Sequence, residues 1–234
     1  MCYHIGIKTV KISIIIPTLN EVEHIKSTLT TIKDSQNVEL IVVDGGSGDG
    51  TIELIQNLGL PLIISPPGRA IQMNTGALAS TGDILLFLHA DTHLPPKFDT
   101  MIRQTLVKPG VVAGAFSLKI DSELPSLRLV ERGVSWRSQL WQMPYGDQAI
   151  FIKRGVFQAV GGFPNIPIME DFELICHLKC RGSIVTLQVP VVTSARRWLK
   201  MGVWQTTLMN QVIIIAYSLG ISPIRIRNWY SWKN

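Results

Sequence analysis

An α/β fold, with a mostly parallel central sheet covered by helices on both faces and a C-terminal helical tail, follows from three features of the sequence. Short, strongly apolar β-branched runs recur through the first half. Segments of helical character separate them, an alternation that builds a parallel sheet buried on both sides. The chain also has 234 residues, of which 46% are hydrophobic and 17% charged, enough to bury a sizeable core and unlike a disordered, collagen-like or coiled-coil chain.

Taken in order, Lys11–Ile16 is a buried strand closed by Pro17. Asn20 is placed to cap a helix reaching about Lys33, with Glu21 and Glu23 favourable in its first turn. Glu39–Val43 is a second strand, stopped by Asp44-Gly45-Gly46, and a helix from about Asp49 to Leu58 follows. Leu60–Ser65 reads as a strand, Arg69–Ser80 as a helix and Ile84–Leu88 as a further strand. In the second half, Val111–Leu118, Ala149–Ile152 and Ser183–Val189 read as strands, and Glu170–Lys179 as a helix. Ser122–Pro144 is a helical or loop insertion.

Charge divides the chain unevenly. Residues 1–173 carry 14 Lys/Arg against 17 Asp/Glu, a net −3, whereas residues 174–234 carry 8 Lys/Arg and no acid, a net +8. Four of six tryptophans (Trp198, Trp204, Trp229, Trp232) fall in this acid-free segment, which suits an anionic partner. Three cysteines do not build a disulfide framework, and Met1–Val10 lacks the apolar stretch of a signal peptide, so a reducing, cytoplasmic setting is expected.

Ligands of open α/β sheets bind beyond the carboxyl ends of the strands. Here the exits are Pro17-Thr18-Leu19-Asn20-Glu21, Asp44-Gly45-Gly46-Ser47-Gly48-Asp49 and His89-Ala90-Asp91, which put Asp44 and Asp91 at adjacent strand ends on one rim. Asp44 is placed to accept hydrogen bonds from a ribose or base, and Asp91 is a hard ligand for a divalent ion that also holds a diphosphate; alternatively each caps the next turn. Gly46, Gly48 and Gly50 lack the third glycine of a dinucleotide fingerprint, and no Gly-Lys pair exists for a phosphate loop.

These residues resemble the family 2 glycosyltransferases, with their GT-A, Rossmann-like nucleotide-sugar fold. The likeness rests on Ile14–Glu21, Ile41–Thr51, Arg69 with Asn74–Ala77, Gly82–Asp91, Gly161–Phe163 and Met169–Asp171, in family order over roughly residues 11 to 190. Gly68–Asn74 and Ser194–Arg197 further resemble a small bacterial subgroup. The resemblance implies a glycosyltransferase of hexosyltransferase type, using a UDP- or GDP-sugar with Mg²⁺ or Mn²⁺. Pro17, Thr18, Asn20 and Glu21 would line the nucleoside pocket, Asp44 would bind the base, and Arg69 would lie against base or phosphates. Gly46, Asn74 and Ala90 join this nucleotide-binding set. Asp91, last in the family's Asp-x-Asp, would touch the ribose as part of the nucleotide-binding set and bind the metal, and Asp171, with Glu170 beside it, would be the general base. Because a single base and metal serve one displacement, inversion at the anomeric carbon is expected.

The family's first aspartate is His89 here, which alters metal or donor contacts and makes His89 a candidate metal ligand with Asp91. A catalytically silent nucleotide-sugar-binding, membrane-associated regulatory protein is the alternative this substitution leaves open. A second alternative, a hydrolase metal site of His89, Asp91 and His93, is opposed by the turn at Pro95-Pro96. Cys176 and Cys180 share a helix face and are expected to be buried free thiols.

The domain is expected to span 1–200, with a basic, aromatic tail at 201–234. Between Lys200 and Arg225 lie 24 uncharged residues, whose first half is too polar for a transmembrane span. Trp204, Leu208, Val212, Ile215 and Leu219 share one helical face. They fit either an amphipathic helix in a membrane interface, peripheral at the inner face of the cell membrane, or a helix docked on the core. In the first case the acceptor is a lipid or other apolar molecule; in the second, a small molecule serves equally. Arg196 and Arg197 are candidate diphosphate ligands. RNA binding finds no interleaved aromatic-glycine motif, so no nucleic-acid partner is expected.

Overall fold

Why Ile12-Ser13-Ile14-Ile15-Ile16 is so apolar becomes clear from its position. In a computed structural model, which describes residues 10–231, it forms β1 (Ile12–Thr18) near the middle of one eight-stranded sheet. Cys2 and Trp232 lie outside the described residues. Alternate side chains of a strand point to opposite faces. Ile12, Ile14 and Ile16 therefore enter a cluster with α1 (Val22–Thr30), α2 (Thr51–Asn57) and α4 (Phe98–Leu106), through Ile25, Ile55 and Ile102. Ile15 enters the other layer with α3 (Arg69–Ala79), α6 (Arg154–Ala159) and α7 (Glu170–Lys179), through Met73, Phe157 and Leu174.

The remaining strands are β2 (Val38–Asp44), β3 (Leu62–Ile64), β4 (Ile84–Phe87), β5 (Thr92–His93), β6 (Val111–Asp121), β7 (Phe151–Lys153) and β8 (Ser183–Ser194). The sheet order is β3-β2-β1-β4-β7-β6-β8-β5. The pairs β3-β2, β2-β1, β1-β4 and β6-β8 are parallel, whereas β7 and β5 run antiparallel to their neighbours. β1 thus separates β2 from β4. Asp44 and Asp91 share the carboxyl rim but follow strands one apart, not adjacent ones.

Several boundaries differ from the sequence reading. Pro17 does not end β1: it pairs in register with Val43 where β1 has outrun β4, whose last partner is Ile15, so the missing N–H leaves no β4 ladder bond unmade. Asn20 does not cap α1, which begins at Val22 and ends at Thr30. Its backbone is left-handed (φ 56°), and its Oδ1 accepts from the Gly48 N–H at 2.9 Å, tying two rim loops together. β8 continues past Val189 because a register shift against β6 between Phe116 and Ser117 absorbs Pro190. The Ser122–Pro144 insertion contains α5 (Pro125–Leu140); after β8 comes α8 (Arg196–Met201), and the tail expected at 201–234 folds as α9 (Val203–Ser218) and α10 (Pro223–Ser231).

α9 buries Thr206, Ile213 and Ala216, and it packs with Ile226 of α10 against Met169 beside α7. The expected stripe Trp204, Leu208, Val212, Ile215 and Leu219 faces away from this contact and is exposed. The helix is therefore docked on the core, but not through the face that the spacing singled out, and it has no continuous polar face.

Candidate active site

Three loops at the carboxyl rim build the first part of the site. Asp44 is fully buried. Its Oδ1 accepts from the backbone N–H groups of Gly46 (2.8 Å) and Ser47 (2.7 Å), and its Oδ2 from the hydroxyls of Ser47 (2.6 Å) and Thr18 (3.0 Å). The carboxylate thereby organises the turn after β2, and Gly46 at φ +94° makes that turn possible. The Asn20 N–H donates to Ser47 Oγ at 2.8 Å and the Glu21 N–H to Thr51 Oγ1 at 2.9 Å, so the loop after β1 is fixed to the loop after β2. Buried Gln72, which the sequence reading passed over, donates to the carbonyls of Thr18 (2.7 Å) and Val43 (2.9 Å) and pins both strand ends.

The second part joins residues far apart in the chain. Arg196, opening α8, makes a paired hydrogen bond to Glu21, and its guanidinium lies 3.3 Å from Asp91 Oδ2. The hydrogen bonds it donates to Glu21 hold the Arg196 pKa above its ordinary value. Arg69, opening α3, donates to Glu170 Oε1 at 3.3 Å. Burial pushes the Glu170 carboxyl upward, against the pull of Arg69. Arg197 separates from its neighbour and donates to Asn210 Oδ1 of α9 at 3.0 Å.

Asp171 sits in the first turn of α7, where the helix N-terminus favours an anion. Its Oδ2 accepts from the Gly146 N–H at 2.7 Å and its Oδ1 from the Phe172 N–H at 2.8 Å. Gly146 is wedged between two expected site residues: a Cβ there would stand 3.2 Å from both Asp171 Oδ2 and His89 Nε2. His89 Nε2 is itself buried, with no hydrogen-bond partner among the described residues. Burial, reinforced by Arg69, lowers the His89 pKa to about 4, although Asp91 and Asp171 oppose the shift. The imidazole is therefore neutral near pH 7.

The Gly146–Gln148 turn was not picked out from the sequence. Its frame is Gln148, whose amide donates to the Phe116 carbonyl and accepts from the Ser138 hydroxyl, both at 2.9 Å. Asp147 Oδ1 is buried without a hydrogen-bond partner among the described residues, and burial raises its carboxyl pKa, with Arg137 opposing and Asp171 adding to the rise. Pro144, Gly146 and Asp147 were a turn signal in the sequence.

Not every expected ligand points into the site. Asn74 uses both amide atoms on Phe163, accepting from its N–H at 3.0 Å and donating to its carbonyl at 2.8 Å. Ala90 is buried, and its carbonyl accepts from the Thr28 hydroxyl at 2.7 Å. His93 turns its Nε2 to Ser27 Oγ at 3.1 Å, and among the described residues no three His, Cys, Asp or Glu side chains gather to hold a metal. The three-ligand hydrolase site is therefore not formed. Cys176 is half-buried and Cys180 exposed, so only the free-thiol part of that expectation stands. Asp91, His93 and Arg196 line a cleft of about 290 Å³.

The donors still fit a divalent ion of another kind. One carboxylate suffices for Mg²⁺ where substrate phosphates supply further oxygens, whereas an imidazole nitrogen is a donor better suited to transition ions. Asp91 and the unpartnered His89 Nε2 are the protein groups available here.

Residues 13–162 match the model of Glycosyl transferase family 2. A PGL/p-HBAD biosynthesis glycosyltransferase of Mycobacterium bovis is 30% identical over 201 residues, covering 78% of this chain and 75% of that protein. Among solved structures, a mannosyltransferase of Pyrobaculum calidifontis, in complex with GDP-Man and Mn²⁺, superposes with a TM-score of 0.64 at 23% identity over 78% of this chain. The chain spans only 56% of that protein's length. Glucosyl-3-phosphoglycerate synthase of Mycobacterium tuberculosis, with Mn²⁺ and UDP-Glc, gives 0.58 at 20% identity, covering 77% of this chain and 70% of that one. At these identities the structural likeness speaks for the GT-A fold.

Proposed function

We propose a function from one premise: the chain belongs to glycosyl transferase family 2 and is a glycosyltransferase. On our reading it moves a sugar from a UDP- or GDP-sugar to an acceptor hydroxyl or carboxylate, with inversion and with the help of Mg²⁺ or Mn²⁺. The observation that carries the reading is the wedge at Gly146, which sets Asp171 and His89 on either side of one backbone position.

Each residue then has a task. The joined loops of Pro17–Glu21 and Asp44–Ser47 floor the nucleoside pocket, and Arg69 stands by the phosphates. Asp91 and His89 would hold the ion, which when bound neutralises charge building on the departing diphosphate. Arg196 adds a guanidinium that pairs with phosphate in a fork geometry. Asp171 accepts the proton of the acceptor hydroxyl as its oxygen bonds to the anomeric carbon and the bond from that carbon to the diphosphate breaks. General-base assistance of this kind contributes roughly 10²–10⁴-fold. One displacement from the face opposite the leaving group inverts the centre.

The acceptor in this proposal is a lipid or other apolar molecule, met at the inner face of the cell membrane. Its support is the apolar exposed side of α9. The contact proposed is peripheral; no helix among the described residues is long and apolar enough to cross a membrane.

Calorimetric titration with UDP and GDP tests the core of the proposal. Binding should tighten with Mn²⁺ or Mg²⁺ and weaken by about tenfold or more in Asp91→Ala, the scale of losing a charged contact to a bound ligand. Binding indifferent to metal overturns the role of Asp91, and a panel of nucleotide sugars scored for hydrolysis identifies the donor.

A further inference from the structure

We propose that the outer face of α9 is an interfacial docking surface for an anionic lipid bilayer, with the helix lying flat in the headgroup region. Trp204, Leu208, Val212, Ile215 and Leu219 follow one another at steps of three or four residues and are between 44% and 77% exposed. They form a stripe of about 22 Å at the rise of an α-helix. Soluble surfaces scatter such side chains singly; a contiguous row marks an interaction site. The row cannot be a face waiting for this chain's own core, because α9 already buries Thr206, Ile213 and Ala216 on its other side.

Charge selects the occupant. Lys200 precedes the stripe and exposed Arg225 and Arg227 follow it, with no charged residue between Lys200 and Arg225 and no acid anywhere beyond Glu173. A second copy would bring the same basic residues to the contact, like charge against like. An anionic membrane surface attracts it, at about 1 kcal/mol per basic residue near the surface. Exposed Trp204 and Trp229, near the two ends of the helical tail, are of the residue type that settles at headgroup depth.

The docking surface is coupled to the catalytic helix. The buried side of α9 packs against Met169 and Phe172, which bracket Glu170 and Asp171, and the Tyr217 hydroxyl donates to Glu173 Oε1. A bilayer held by the outer side therefore lies a helix diameter from the segment carrying the proposed base, about 10 Å. The docking deepens the membrane contact of the proposed function and this last step rests on its catalytic part, whereas nucleotide binding depends on neither.

The experiment is flotation of the full chain with phosphatidylcholine vesicles, with or without phosphatidylglycerol, alongside calorimetric UDP and GDP binding. The wild-type chain should float with the anionic vesicles, and Leu208→Ser/Ile215→Ser should lower its partitioning roughly tenfold or more. Both changes are at exposed positions, so circular dichroism and nucleotide affinity should match wild type. Arg225→Glu/Arg227→Glu should abolish the preference for phosphatidylglycerol. Failure of the wild-type chain to float with either vesicle overturns the docking proposal while leaving nucleotide binding standing. So does a wild-type dimer in sedimentation that the Leu208→Ser/Ile215→Ser chain dissolves into monomers without any flotation. Flotation without nucleotide binding instead sinks the proposed function and leaves the docking surface intact.

Discussion

Replacing Asp171 by asparagine separates catalysis from architecture at one side chain. The carboxylate accepts one backbone N–H on each oxygen, from Gly146 at 2.7 Å and from Phe172 at 2.8 Å. An amide offers one oxygen, so its NH₂ must face one of the two N–H groups. Losing one hydrogen bond to a charged acceptor costs about 1.5–3 kcal/mol. For a chain of this length each kcal/mol lowers Tm by about 2–4 °C, so a drop of ~3–12 °C is expected. A fold of typical stability survives that at 25 °C. Catalysis should suffer more: without a proton acceptor kcat falls ~10²–10⁴-fold, or ~3–5 kcal/mol of barrier. The assay is nucleoside diphosphate release at saturating donor, with a thermal scan on the same preparation. A lowered Tm with kcat within about threefold of wild type would mean that Asp171 only anchors the Gly146 turn.

Two further outcomes follow from geometry. Gly146→Ala puts a methyl 3.2 Å from both Asp171 Oδ2 and His89 Nε2; displacing them by a few tenths of an ångström should lower kcat by roughly 3–10-fold with little change in fold, and wild-type turnover would show that this wedge is not the reacting geometry. Glu39 accepts from Lys11 Nζ (2.6 Å), the Thr81 hydroxyl (2.7 Å), the Gly82 N–H (3.0 Å) and the Ser13 hydroxyl. Burial pushes its carboxyl up, but these bonds prevail and hold its pKa at about 2 against 4.5. Since the folded value is the lower one, the stabilisation is present above about pH 4.5 and lost as pH falls toward 2, amounting to about 2–3 kcal/mol. Denaturant unfolding should show that loss in wild type and not in Glu39→Gln; equal acid slopes in the two refute it.

The half of the fold before Asp91 was legible because its strands are buried on both faces, and a run such as Ile84-Leu85-Leu86-Phe87 has no other use in so short a segment. α4 was legible but overlooked, since Phe98, Ile102 and Leu106 repeat at helical spacing and all are buried. Asn20 misled because a side chain suited to capping found a better acceptor's role across the rim, on the Gly48 N–H. The paired contact between Arg196 and Glu21 spans 175 residues and leaves no local trace. The Gly146 turn is similar, since it depends on Gln148 reaching Phe116 and Ser138. In α9 the spacing of Trp204 to Leu219 was correct, but a helix apolar on several sides does not announce which side meets the core. Ile213, Ala216 and the Tyr217–Glu173 bond decide that.

The charges at the rim bear on how such a site could exchange protein contacts for ligand contacts. Arg196 holds Glu21 with two hydrogen bonds but meets Asp91 only at 3.3 Å, from a guanidinium that is nearly half exposed. An exposed pair of that kind is worth about 0–1 kcal/mol. Releasing Asp91 to a divalent ion therefore costs little, and the freed side of the guanidinium can turn to phosphate while its bond to Glu21 keeps it at the rim. Arg69 is likewise half exposed at 3.3 Å from Glu170, but that carboxylate is buried, so this pair is the firmer of the two. Both arginines thus keep nearby carboxylates from repelling one another and an arriving diphosphate. Were Arg196 instead buried and bidentate on Asp91, the same residues would form a closed structural cluster. The weak second contact is what makes the proposed exchange of protein carboxylate for donor phosphate physically reasonable.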